Sequence, residues 1–172
     1  MKTITLDFPE MSLLDVREKF KDCFFGQSWY DKEPFATEKI PAGRWEVSLR
    51  ELEGSLGKTW NEQQSLPHGI EEEIPPVAVL VYAMCQHFKD TGERVFEKTY
   101  VRTSRCDRDS SRVSVGDFDS EGLCVNSDWD NDRNDILGVS AARKLDTRND
   151  TLESLNARLL ELEAWKNKVC GV

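Results

Sequence analysis

The stretch Val113–Val125, with the sequence VSVGDFDSEGLCV, decides the fold. Apolar residues alternate with small or polar ones at both of its ends, which is the period of a half-buried β-strand. Glycines between the two ends stand at turn positions. The sequence therefore predicts two short strands, in which the alternating residues Ser114 and Cys124 point away from the core.

The same pattern continues over residues 101–144. Leu137 and Val139 form a third apolar alternation, and Phe118 and Trp129 are large apolar anchors. Most of the residues between these positions are Asp, Asn, Ser, Cys or Arg. We predict that the scaffold of this segment consists of Val113, Val115, Phe118, Leu123, Val125, Trp129, Leu137 and Val139.

The preceding hundred residues predict supporting elements. Apolar spacing predicts an amphipathic helix over 11–25, and the proline pair before Val77 predicts a buried helix that ends near Gly92. A loop followed by a short strand is expected over 41–49, a strand over 95–102 and a turn at 67–69, while 52–60 is ambiguous. Together these elements indicate an α+β domain over residues 1–144.

Residues 145–172 predict a C-terminal amphipathic helix. Asp150 is a good N-cap residue, and the leucines that follow are spaced by three and four. Two interpretations remain open at this stage. The helix either packs on its own domain, or it serves self-association or partner binding through residues 150–166.

Composition excludes several classes of function. The chain has 172 residues, 23 Lys and Arg against 32 Asp and Glu, and a net charge of −9, which disfavours nucleic acids and anionic membranes as partners. The longest apolar run, Val77–Met84, is too short to cross a bilayer, and no secretory signal is apparent, so we expect a cytoplasmic or virion-associated protein. Five cysteines without metal spacing and two histidines favour neither a disulfide framework, nor a zinc site, nor histidine catalysis.

The Asp-rich segment 117–135 admits two chemical interpretations. Carboxylates at Asp128, Asp130 and Asp132 resemble a calcium loop, but an EF-hand needs Gly and Glu where Arg133 and Val139 stand. An irregular calcium site stays open, although we expect no metal or other cofactor. A small metal-assisted enzyme could use paired aspartates, yet the segment offers little apolar wall to raise a carboxyl pKa. A plain solvated loop is the simplest alternative, but it leaves the regular strand anchors unexplained.

Two stretches carry a resemblance to a known family. Trp129–Val139, with the sequence WDNDRNDILGV, resembles the variable region of C-type-lectin-fold proteins that are diversified by retroelements. Ile74–Ala83, with the sequence IPPVAVLVYA, is similar to a helix of the related sulfatase-modifying-factor domain. The likeness spans about residues 65–144, although Arg102-Thr103-Ser104 lacks the Gly-Gly and Trp of the family's strand. It implies a C-type lectin-like fold, in which two supporting helices pack on a small, twisted, mostly antiparallel sheet. It also implies a loop-rich variable face, with the variable region near 101–144.

The resemblance also implies a function. Members of this family bind macromolecular ligands and carry out no chemistry on them, so we expect a target-recognition protein, not an enzyme, whose partner is a protein. The formylglycine-generating enzymes of related fold use paired cysteines, but the copper-binding context is missing around Cys106 and Cys124. Eight aspartates in 101–144 predict a basic or neutral partner surface and electrostatic steering.

Adenine mutagenesis by such retroelements converts Asn codons to Ser, Asp, Cys, Arg, Ile and others, but never to Lys, Glu, Gln, Met or Trp. The outward positions of the segment all hold residues of that reachable set. We predict that the variable, ligand-binding face consists of Cys106, Asp109, Ser111, Ser114, Asp117, Cys124, Asn126, Ser127, Asp128, Asp130, Asn131, Asn134 and Ile136.

Overall fold

A computed structural model describes residues 2–66, 69 and 71–169; most of the predicted turn at 67–69 and Cys170 lie outside them. In chain order the elements are β1 (Thr3–Phe8), α1 (Leu13–Lys19), a 3₁₀ turn (Lys21–Cys23), α2 (Pro34–Thr37), β2 (Gly43–Ser48), α3 (Trp60–Gln64), β3 (Glu72–Glu73), α4 (Val77–Thr91), β4 (Tyr100–Cys106), β5 (Arg112–Asp119), β6 (Gly122–Asp128), β7 (Leu137–Val139), β8 (Ala142–Leu145) and α5 (Thr147–Val169).

The strands form two four-stranded sheets. The first has the order β1-β2-β8-β3, with antiparallel pairing throughout, and it joins the N-terminal strand to the last one. The second has the order β6-β5-β4-β7, in which only β7 runs parallel to its neighbour. The prediction of an α+β fold with mostly antiparallel pairing and a C-terminal helix is confirmed, with two sheets where one was expected.

Helix α4 lies in the core between these sheets. Residues 77–85 are buried, and the helix contacts β1 of the first sheet and β4 and β5 of the second. Pro76 precedes its first turn and Gly92, with φ of 75°, ends it in the left-handed conformation. The prediction of a buried helix is confirmed. Its unbroken apolar sequence follows from having protein on every side.

The helix predicted over 11–25 is shorter in the structure. It ends at Lys19, and a separate 3₁₀ turn follows. Its start is fixed by a capping box, in which the Asp15 amide donates to Ser12 Oγ at 3.1 Å and the Ser12 amide donates to Asp15 Oδ2 at 2.9 Å. Lys39 Nζ also donates to Asp15 Oδ2, at 2.9 Å. This carboxylate therefore ties the helix start to the segment before β2.

We expect Asp15→Ala to lower the free energy of unfolding by about 0.5–1 kcal/mol at pH 7. The Ser12 amide, followed by Lys39, lowers the pKa of Asp15 from 3.8 to about 2. A depressed folded-state pKa gives stability above the unfolded value that disappears as pH falls through the folded one. The difference between Asp15→Ala and wild type, measured by urea unfolding, should thus shrink between about pH 4 and pH 2. Glu18→Ala, on the same helix, should change stability by less than about 0.5 kcal/mol at any of these pH values.

The hairpin scaffold is buried as predicted, with one exception. Seven of its residues are at most 1% exposed, namely Val113, Val115, Phe118, Leu123, Val125, Leu137 and Val139. The prediction for Trp129 is wrong, since its side chain is 58% exposed. Trp129 follows the end of β6, and its backbone carbonyl, not its ring, is bound by the protein interior. The strand expected over 95–102 begins only at Tyr100, because Phe96 adopts a positive φ of 53°.

Helix α5 begins directly after β8. It starts at Thr147, so the prediction of Asp150 as N-cap is wrong. Every side chain from 152 to 168 is exposed, so packing on the chain's own domain is not observed over these residues. Across residues 2–66, 69 and 71–169, no helix is both long and apolar enough to span a membrane.

Candidate functional site: the outer face of the second sheet

Residues that oppose each other across the strands share one face of the second sheet. Ser114 pairs with Asn126 and Arg112 with Asp128, while Cys124 lies opposite Gly116. These residues alternate with the buried valines, so they lie on the side away from α4. We call the exposed or half-buried part of this side the hairpin face, which consists of Tyr100, Arg112, Asp117, Cys124, Asn126 and Asp128.

Tyr100, Asp117 and Cys124 lie together on the hairpin face. The Tyr100 hydroxyl donates to Asp117 Oδ2 at 3.4 Å. Partial burial, followed by the nearby Asp117 carboxylate, raises the pKa of the Cys124 thiol, and burial first of all raises the pKa of Cys106 as well. Both thiols are therefore neutral near pH 7, whereas a nucleophilic cysteine needs a lowered pKa. Neither environment resembles that of a reactive cysteine.

Arg102 is the buried charge that organises one end of this face. Its side chain is fully buried, and its Nη1 donates to the Lys58 carbonyl at 3.0 Å and to Gln63 Oε1 at 2.8 Å. Its Nη2 donates to the carbonyls of Trp129 and Asp132 at 2.8 and 3.1 Å. Burial lowers the pKa of Arg102, but a guanidinium stays charged at neutral pH. A single side chain thus binds two loops from distant parts of the sequence.

Residues 129–136 form what we call the platform loop, which packs on α3. The Trp60 amide donates to the Asp130 carbonyl at 2.7 Å, and the Arg112 guanidinium lies 4.0 Å from the Trp60 ring centre while it pairs with Asp130 at 3.2 Å. Arg133 pairs with Glu62 at 2.6 Å. Arg133 and the Thr59 amide lower the pKa of Glu62 to about 2. The loop backbone is therefore held in place while Trp129, Asn131 and Ile136 stay exposed.

The free edge of β6 is covered by side chains from residues 25–29. Gln27 donates to the Val125 carbonyl at 3.1 Å and accepts from the Val125 amide at 2.9 Å, and Trp29 Nε1 donates to the same carbonyl at 3.1 Å. An open strand edge can pair with strands of other chains, and these hydrogen bonds occupy the Val125 amide and carbonyl groups that would otherwise be available. Trp29 remains 42% exposed beside the hairpin face. Sequence reasoning did not identify Trp29, because nothing local connects it with β6.

The predicted variable residues divide into two groups in the structure. Eleven of them are exposed or half-buried. Ser127 is half-buried on the core side of the sheet, and the other ten lie in outward positions, namely Cys106, Asp109, Asp117, Cys124, Asn126, Asp128, Asp130, Asn131, Asn134 and Ile136. Three predictions of outward position are wrong. Ser114 is fully buried beside Arg102 and donates to Asp128 Oδ2 at 2.7 Å, Ser111 is buried in the β4–β5 turn, and Ser127 pairs with Val113 and shares the core side of the sheet.

The alternating aspartates do not converge on a common point. Asp128 accepts from Ser114, Asp130 pairs with Arg112, and Asp132 accepts from the Trp129 amide at 3.2 Å. In the described part of the chain, no three Asp, Glu, His or Cys side chains are grouped so that they could hold a metal ion. The geometry therefore gives the calcium and metal-assisted interpretations no support.

The chain was compared with protein families, curated proteins and solved structures. No family model, no curated protein and no solved structure matches this chain.

Proposed function

We propose that this protein is a target-recognition protein that displays a variable surface on a C-type lectin-like scaffold diversified by a retroelement. Its ligand is a macromolecule, most simply a protein. The observation that supports this proposal best is that residues 101–144 separate into exposed candidate positions and buried scaffold positions. Ten candidate positions reach the surface, whereas seven scaffold residues that alternate with them or flank them are at most 1% exposed.

The way in which the face is held supports the same proposal. The backbone of β6 and of the platform loop is bound by three side chains that lie outside the variable positions, namely Gln27, Trp29 and Arg102. Glu62 adds an ion pair with the Arg133 side chain of the loop. Side chains such as Asn126 and Asn131 can therefore change while the backbone stays in place. Surface substitutions usually alter stability by no more than about 0.5 kcal/mol.

The chemistry of the face indicates the partner. Among residues 2–66, 69 and 71–169, Asp117 forms no ion pair, so its charge is free to attract a cation on a partner. Asp128 lies opposite Arg112 and in the field of the buried Arg102, which partly balance its charge. Trp29 and Trp129 add exposed aromatic surface, which is enriched at protein interfaces. We therefore assign a basic or neutral protein surface as the ligand, bound by carboxylates with aromatic contacts at the border.

The tolerance of the face can be measured directly. We expect Cys124→Ser, Asn126→Tyr, Asn131→Tyr and Ile136→Asn each to shift Tm by no more than about 2 °C, because each side chain borders solvent and each new residue is reachable from an Asn codon. The matched control is Ser114→Asn, also reachable but fully buried, which should cost more than about 2 kcal/mol. Equal losses at Asn126 and Ser114 would contradict a tolerant face.

The origin of the diversity needs a separate test. Sequencing the DNA around the gene should reveal a reverse transcriptase and a near-copy repeat of the region that encodes 101–144. Differences between repeat and gene should fall at adenines in the codons of the ten surface positions. Finding neither element would remove diversification from the proposal, whereas tolerance at the hairpin face would still support recognition.

A further inference from the structure

Helix α5 carries an apolar stripe that its own domain does not cover. Leu152, Leu155, Leu159 and Leu162 are 54–63% exposed, and Trp165 is 64% exposed. Several large apolar side chains exposed along one helix are typical of an interaction site. The stripe is therefore a surface that needs a partner.

The spacing of the stripe is that of a coiled coil. Leu152 and Leu159 occupy heptad a positions and Leu155 and Leu162 occupy d positions. Lys166 takes the next a position. The four leucines make a seam that fits a second copy of itself, because identical helices present identical knobs and holes. Lys166 suits a two-stranded seam, where its stem packs along the apolar surface while its ammonium group reaches water.

The charges beside the seam select an orientation. Arg158 stands at a g position and Glu163 at the e position five residues later. In a parallel, in-register pair, the g residue of one helix faces the following e residue of the other, so Arg158 meets Glu163 on both sides of the seam. An antiparallel pair places g positions against g positions, and Arg158 then loses its carboxylate partner.

We propose that α5 forms a parallel two-stranded coiled coil with a second copy of this chain. The inference does not depend on whether the hairpin face binds a target. The helix leaves the first sheet through β8, whereas the hairpin face belongs to the second sheet. A dimer would display two hairpin faces, and a target with two matching sites would bind with the added strength of a bivalent contact.

Sedimentation equilibrium of the full chain at about 50 µM should give twice the chain mass. Leu159→Glu, at an a position, should weaken dimerisation by at least about 100-fold, because two buried leucines are replaced by apposed carboxylates. Leu160→Glu is the matched control, since the neighbouring Leu160 has similar exposure but lies at a b position off the seam; it should remain a dimer. A monomeric wild-type chain, or equal effects at the two positions, would overturn the proposal.

Charge reversal tests the orientation. Arg158→Glu and Glu163→Arg alone should each raise the dimer dissociation constant by about tenfold, and the double exchange should restore it, because only a parallel pair brings these residues together. No restoration would refute the parallel arrangement. All variants should leave the Tm of the α+β domain unchanged. A fall in that Tm for Leu159→Glu would show that α5 packs on its own domain, which would also refute the proposal.

Discussion

Arg102→Met should lower the free energy of unfolding by about 4 kcal/mol. The guanidinium is fully buried and donates to four acceptors, one of them a side-chain amide and three of them backbone carbonyls. Methionine fills similar space but leaves those acceptors without donors, and each unsatisfied buried group costs about 1–3 kcal/mol. Urea unfolding measures the loss directly.

Two further variants identify the cause. Arg102→Lys keeps the charge, but a single ammonium group cannot reproduce the planar fork, so we expect it to recover less than half of the loss. Arg105→Met is the matched control on the same strand. Arg105 pairs with Glu38 at 2.7 Å near the surface. Its replacement by methionine should therefore lower the free energy of unfolding by less than about 1 kcal/mol.

The platform loop should respond locally to the Arg102 change. Because Arg102 binds the Trp129 and Asp132 carbonyls, its removal should free the loop and speed hydrogen exchange at the Trp60 amide, which donates to Asp130. Arg105→Met should leave that exchange rate unchanged. Equal stability losses at positions 102 and 105, with Trp60 exchange unaltered, would show that Arg102 does not hold the loop.

Gly122→Ala should lower the free energy of unfolding by at least about 3 kcal/mol. Gly122 begins β6 with φ of 117°, a conformation that strains residues with a Cβ. An added Cβ would lie within 2.5 Å of the Phe24 carbonyl carbon and closer still to the Phe25 amide nitrogen. Both are backbone atoms of the segment that covers the β6 edge, where the Phe25 amide donates to the Leu123 carbonyl at 3.0 Å. The clash therefore has no flexible side chain to absorb it.

Gly26→Ala is the control for Gly122. Gly26 is the next residue of the same covering segment, it has no neighbouring atom within 4 Å of an added Cβ, and its φ is not positive. We expect its change in stability to stay within about 0.5 kcal/mol, or to be slightly favourable, because alanine restricts the unfolded chain. A Gly122→Ala protein as stable as Gly26→Ala would refute the close approach of β6 and this segment.

Some side-chain positions in the candidate site followed from the sequence, and others did not. Alternation placed Cys124 and Asn126 on the outer face correctly, because the period of a strand is a local property. The same alternation placed Ser114 on that face but could not show that the face is covered there by Arg102 and the platform loop. The prediction that Trp129 is buried was wrong for a related reason, since the size of an apolar side chain does not show whether its ring points inward or outward.

The residues alone determined the α+β class, the buried helix α4, the alternation along β5 and β6 and the spacing of the stripe on α5. Each follows from short-range periodicity and from proline and glycine chemistry, which act within a few residues. Only the tertiary structure decided the buried Arg102, the covering of β6 by Gln27 and Trp29, and the exposure of α5. The first two depend on contacts between residues from 27 to 98 positions apart, whose partners no local pattern specifies. The exposure of α5 depends on where β8 directs the helix, which the spacing of its leucines does not specify either.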